Sequence, residues 1–227
     1  VEHLNSVGHS FEKTIDFGMF SVICTPLLKT MNFFYKYCHN YGIAIILLTL
    51  LIRILFHPLT KKSLQSMRDM QRIQPQLAKI KEKFKDDRQQ MNKEVMELMR
   101  ANKVNPLGGC LPLLFQMPIF FALYRVLYNA IELYQAPFFG WIQDLSAKDP
   151  WFITPVLMGV AMVAQQRMTP APTADPMQKK MMMFMPVIFA FFMIPLPSGL
   201  VLYILCSTVL QVASQWLVNR ELSAKEA

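Results

Sequence analysis

Apolar residues in this chain fall into long unbroken blocks, not into the alternation of strands or the narrow stripe of a surface helix. Stretches free of Asp, Glu, Lys and Arg mark them out. Sixteen uncharged residues separate Lys36 from Arg53, and seven more precede Lys61. Twenty-one lie between Lys103 and Arg125, 17 between Asp149 and Arg167, and 39 between Lys180 and Arg220. A helix crosses the hydrocarbon core in about 20 residues, so the last block can cross twice. Pro195, Pro197, Ser198 and Gly199 stand at its middle, where a tight hairpin needs turn formers. The pattern predicts an all-α polytopic membrane protein with spans at 41–60, 111–132, 151–168, 181–196 and 199–218.

Two other segments carry a helical stripe. Within 16–38, Phe20, Ile23, Leu27, Met31, Phe34 and Cys38 recur on one face, with Lys29 and Lys36 off it. This predicts an interfacial amphipathic helix in an external N-terminal segment, 1–40; a sixth short span is the alternative. Pro26 is expected to interrupt the helix. In 61–103, Met67, Met70, Ile73, Leu77, Ile80 and Phe84 are three or four residues apart. After Asp86-Asp87 the stripe resumes at Met91, Val95 and Leu98. Two amphipathic helices joined by a short polar turn make a helical hairpin with an apolar seam.

Composition agrees with the blocks. The chain is 53% hydrophobic and 17% charged, against about 45–50% and about 25% in an average soluble domain; disorder and collagen-like repeats are excluded. The formal charge of +8 is unevenly placed. Segment 61–103 holds twelve Lys and Arg against six acids, whereas 133–150 holds Lys148 against Asp144 and Asp149. Basic residues concentrate in cytoplasmic loops. The hairpin, the loop 169–180 with its Lys179 and Lys180, and the tail 219–227 are therefore expected inside; the loop 133–150 and the Pro197 turn are expected outside. An external N-terminus must be exported, yet residues 1–20 carry no signal peptide, so an upstream signal or span, with or without an external domain, is expected. The basic hairpin suits anionic lipid head groups or RNA, or serves only to retain the loop inside.

Arg53 is the costly residue. A mid-membrane Arg costs roughly 2.5–3.5 kcal/mol on insertion scales and usually faces a bundle interior or a hydrated cavity. Snorkelling toward the inner edge, about 10 Å away at 1.5 Å per residue, is the alternative. Thr49, at i−4, extends a polar stripe from it, and Gln116, Tyr203, Ser207, Gln211 and Gln215 in other spans are candidates to meet that stripe. Apart from Glu132 at an outer boundary the spans hold no acid, so Arg53 has no intramembrane carboxylate partner. Arg125, in the second span, reads as a snorkelling or packing residue. Catalytic signatures are missing: no H-E-x-x-H, G-x-S-x-G, Walker loop or paired intramembrane aspartates occurs. Four separated cysteines and four scattered histidines suggest neither a disulfide framework, a metal site nor a cofactor. The cluster Met177, Met181, Met182, Met183 and Met185 forms either an adaptable apolar surface or gap-filling core.

Several long stretches carry a resemblance. T-L-L-I-R-I-L-F-H-P-L-T-K, V-N-P-L-G-G-C-L-P-L-L-F-Q-M-P-I-F-F-A-L-Y, Q-A-P-F-F-G-W-I-Q-D-L-S-A-K-D-P, D-P-M-Q-K-K-M-M-M-F-M-P-V-I-F and P-S-G-L-V-L-Y occur in this order. Over roughly residues 16–220 the chain resembles the bacterial form of the YidC family of membrane protein insertases. The resemblance implies five transmembrane helices around a hydrophilic groove open to cytoplasm and lipid, with the cytoplasmic hairpin and the external amphipathic helix. It puts the groove arginine at Arg53, its threonine at Thr49 and the first of two groove tyrosines at Tyr203. Ile204 stands where the best-known member has the second tyrosine, and Arg125 where it has an aromatic residue. An additional N-terminal span and periplasmic domain, common in the family, would account for the missing export signal.

The implied function is insertion of nascent membrane proteins into the inner membrane, alone or with the Sec translocon. The groove gives a short polar tail a hydrated foothold, and no covalent chemistry is needed. The ribosome is an implied partner through the hairpin and C-terminal tail; no small-molecule substrate is implied. A transporter would need internal repeats and midplane acids, and an intramembrane enzyme a nucleophile–base or metal constellation. Neither is evident.

Overall fold

A computed structural model describes residues 21–105, 111–129, 133–168 and 176–226. Their eight helices are α1 (Ser21–Cys38), α2 (Tyr41–Leu55), α3 (His57–Lys83), α4 (Arg88–Ala101), α5 (Leu111–Asn129), α6 (Ile153–Met168), α7 (Pro176–Met193) and α8 (Ser198–Glu226). Among the described residues no strand forms; Lys148 and Pro197 make one isolated antiparallel bridge.

Helix α1 runs unbroken through Pro26, contrary to the expected interruption. A proline forfeits one backbone bond to the carbonyl four residues earlier. Here that carbonyl belongs to Val22, an exposed residue, so the loss is tolerated. Phe20 lies outside the described residues. Cys24 and Met31 are fully buried, with Ile23, Leu27 and Phe34 packed beside them. His39 then takes a left-handed conformation, φ 50°, which reverses the chain and stacks Tyr35 on Tyr41 at 3.9 Å. Asn40 caps α2 by accepting from the Ile43 N–H at 3.2 Å.

The expected span 41–60 is cut at Phe56. Its backbone (φ −89°, ψ 2°) leaves the helix, and the axis turns by 61° into α3. Pro58 is the cause: it lacks an N–H, and its ring would meet the Ile54 carbonyl of a continuous helix. Residues 57–60 thus begin the long hairpin helix, which reaches Lys83. Asp87 caps α4 through bonds from the Gln89 and Gln90 N–H groups. The hairpin seam joins Ile73, Leu77 and Val104 to Met70, Val95 and Leu98.

Among the described residues, only the Ser198–Arg220 part of α8 is by itself long and apolar enough to cross a bilayer, with the bent α2–α3 pair as a second candidate. Helices α5, α6 and α7, in the other three expected spans, have 19, 16 and 18 residues. At 1.5 Å per residue they rise roughly 24–29 Å, just short of a typical hydrocarbon core of about 30 Å.

Helix α8 is the central post. It packs on α2 and α6; α1 covers α2 and α5, and α7 lies on α6. One core cluster gathers Met31, Ile45, Leu48, Leu123, Val126, Leu200 and Tyr203 from α1, α2, α5 and α8; another joins Met158, Met193 and Val201. Met177, Met181, Met183 and Met185 are exposed, so they form surface and not core filling.

The loop before α6 is built, not slack. Ser198 N–H donates to the Ala147 carbonyl at 2.7 Å and Gly199 N–H to Leu145 at 2.9 Å, pinning the loop on the start of α8. A side chain at Gly42 would begin 2.0 Å from the Phe138 ring, so only glycine lets the loop sit on α2. Buried Asp149 accepts from the Thr154 hydroxyl (2.5 Å) and N–H (2.7 Å), the Trp151 N–H (3.0 Å) and the Trp141 indole (3.4 Å). Burial alone would push this carboxyl up, but the donors outweigh it and hold it below its ordinary range.

Candidate functional site: a polar seam around Arg53

Helix α8 presents Tyr203, Ser207, Gln211 and Gln215 at four-residue steps, which places them along one helical face. Arg53, on the last turn of α2, reaches that face. Its Nη2 donates to Ser207 Oγ at 2.5 Å and to Gln211 Oε1 at 3.1 Å. One turn earlier on α8, the Tyr203 hydroxyl accepts from Gln116 Nε2 of α5 at 2.8 Å. Two polar bridges thus tie α2 and α5 to α8.

Thr49 does not join this network. It is buried, and its hydroxyl donates to the Ile45 carbonyl of its own helix at 2.6 Å. Gln215 is buried further along α8, where its Nε2 donates to the Met168 carbonyl at 3.1 Å. Arg125 is exposed on α5.

Arg53 is half-buried, and both acceptors are neutral. Its full positive charge is therefore oriented without being neutralised. Ile52, Phe56 and Leu59 on one side and Phe115, Gln116 and Ile119 on the other form a cleft beside it. The cleft's volume is about 20 Å³, enough for one water; a peptide needs the helices to part. Leu114, Phe115, Ile54 and Leu55, on the same two helices, are exposed, so apolar surface adjoins a cleft that Arg53 helps to line. Among the described residues no cluster of three His, Cys, Asp or Glu side chains is placed to hold a metal.

Residues 33–225 match the model of the family described as 60Kd inner membrane protein. The chain belongs to that family. Among its relatives in the 60Kd inner membrane protein family are proteins named membrane protein insertase YidC. The one from Geobacter metallireducens is 53% identical over 224 residues, 99% of this chain and 42% of the relative. That from Geobacter sulfurreducens is 50% identical over 227 residues, 100% and 43% of the two chains. A crystal structure described as an active YidC insertase with its first transmembrane domain resolved superposes with a TM-score of 0.69 at 32% identity. It covers 86% of this chain and 46% of that one. The chain therefore spans somewhat over two fifths of the length of the curated relatives it matches. Family membership makes it a bacterial inner membrane protein.

Reading polar residues in apolar spans picked out the side chains of both bridges but not which of them pair. It missed the apolar residues that shape the cleft, Phe56, Leu59 and Phe115, because an aromatic or Leu in a greasy span carries no distinguishing signal. Asp149 and Ser198 were also missed as structural anchors. The D-P and P-S-G turns at those positions were the available clue.

Proposed function

We propose that this chain is the working core of a membrane protein insertase and chaperone. It lets the polar tail of a nascent membrane protein enter the inner leaflet beside Arg53, after which the apolar segment moves into lipid. The observation that carries the reading is a charged guanidinium held in an apolar bundle by two neutral acceptors. An acidic tail offers that charge the partner its neighbours do not supply, and Gln116 and Tyr203 supply further polar contact. Burial of the substrate's apolar segment in lipid drives the reaction, with the membrane potential adding about 2.3 kcal/mol per charge per 100 mV for an acidic tail. No bond is made or broken.

The charge pattern supports a topology with the hairpin 61–103 and the tail 219–227 in the cytoplasm and the loop 133–150 outside. In that arrangement the basic hairpin and tail face the ribosome, and the Sec translocon is a lateral partner for longer substrates. The names of the relatives support the same activity.

The test is site-specific photocrosslinking of the full protein to a ribosome-stalled nascent chain. Probes at Phe56 and Gln116, which line the cleft, should yield adducts with the tail. A probe at Phe33, exposed on α1, should not. Equal labelling from all three sites would refute the cleft as the path.

A further inference from the structure

The loop and turn that precede α6 sort their apolar side chains by kind. Leu133, Ile142 and Leu145 are buried, whereas Tyr134, Phe139, Trp151 and Phe152 are exposed, Trp151 over 69% of its surface. In water this order is costly, because a buried aromatic ring removes more apolar surface than a buried aliphatic side chain. The outward pose is also fixed. Trp151 N–H donates to Asp149 Oδ1 at 3.0 Å and Phe152 N–H to the Asp149 carbonyl at 3.4 Å, and Asp149 is buried. Phe152 is held in the left-handed backbone region, φ 56°. An aromatic residue rarely adopts that conformation, and surrounding contacts must maintain it.

The two rings continue one face of α6. Phe152, Val156 and Val160 follow at four-residue steps, and all three are exposed. The Phe152 carbonyl accepts from the Val156 N–H at 3.2 Å, which joins the turn directly to the helix. Arg167, exposed, lies in the last turn of the same helix. An aromatic group at one end of an apolar face and an arginine at the other are the residue kinds that meet the two interfaces of a bilayer. Trp151 suits such a zone, since its ring is apolar and its indole N–H needs a polar partner.

We propose that Trp151 and Phe152 form an anchor in the glycerol and head-group zone of the leaflet at which α6 begins. Its partner is phospholipid, not a second protein. The anchor rests on α6 crossing the bilayer and is independent of the route beside Arg53.

The full-length protein, with p-benzoylphenylalanine in place of Trp151, Val156 or Gln143, is reconstituted in vesicles of dimyristoylphosphatidylcholine and dimyristoylphosphatidylglycerol. After irradiation, adducts are identified by mass spectrometry. The probe at Trp151 should carry phospholipid at a yield at least fivefold above the probe at Gln143, which is exposed on the loop. Fragmentation should place its attachment nearer the glycerol than that of the probe at Val156. Lipid adducts at Val156 with no excess at Trp151 over Gln143 would overturn the anchor while leaving α6 in the bilayer. No lipid adduct at either Trp151 or Val156 would overturn the anchor and the span together. Peptide adducts alone at Trp151, or attachment as deep as that from Val156, would also overturn it.

Discussion

Replacing Arg53 separates the effect of its charge from that of its shape. A carboxylate about 4 Å from a guanidinium gains about 1 kcal/mol in water and about 4 kcal/mol at an effective dielectric of 20. Arg53 is half-buried beside a cleft wide enough for one water, so the gain for an acidic tail lies between these limits. Each 1.36 kcal/mol is tenfold in rate. Arg53→Ala should therefore slow insertion of a substrate with one acidic residue in its tail by roughly fivefold to several hundredfold. A neutral tail loses no ion pair and should slow by no more than about threefold. Arg53→Lys keeps the charge but not the fork that serves Ser207 and Gln211 together, and should fall between wild type and Ala. The assay is protease protection of newly made substrate in proteoliposomes, with thermal melts to show that each variant is folded. Equal loss for acidic and neutral tails, or no loss for either, would refute the charge argument.

Three further outcomes follow from the packing. Asp149→Ala strands four donors around a buried position, and at about 1.5–3 kcal/mol for a hydrogen bond to a charged group it should cost about 3 kcal/mol or more in detergent unfolding. Because the folded pKa of Asp149 is lowered, its stabilisation is complete above the unfolded value of about 3.9 and is lost as pH falls through the folded value; melts should show this acid-side loss in wild type and a flatter profile in the variant. Gly42→Ala puts a methyl 2.0 Å from the Phe138 ring and should destabilise by about 1–3 kcal/mol, with Phe138→Ala in the same chain relieving the clash. Gln116→Leu and Tyr203→Phe, measured singly and together, should show a coupling of roughly 0.6–1.5 kcal/mol; additive effects would mean that the 2.8 Å bridge contributes nothing.

Several elements were legible because their signals are local. The hairpin seam follows from apolar spacing alone, since Ile73 and Leu77 meet Val95 and Leu98 wherever two such helices fold back. The polar residues that form the seam stood out because a polar group in an apolar span is costly and must find a partner. Their pairing was not legible. Thr49 and Ser207 are both small hydroxyl residues on apolar helices, yet Thr49 bonds its own helix while Ser207 accepts from Arg53. Only the rotation of α2 against α8 distinguishes them.

By itself, then, the order of residues determined the helical class, the positions of most helices, the basic hairpin and the unusual cost of Arg53, all of which follow from periodicity and solvation energy along one dimension. The tertiary structure decided the rest. It set the 61° angle of the bend that Pro58 starts, fastened the loop to the start of α8, and made the two bridges that turn scattered polar residues into a seam. Contacts between residues 87 to 158 positions apart depend on how whole helices rotate and pack, and packing is settled by all facing side chains together.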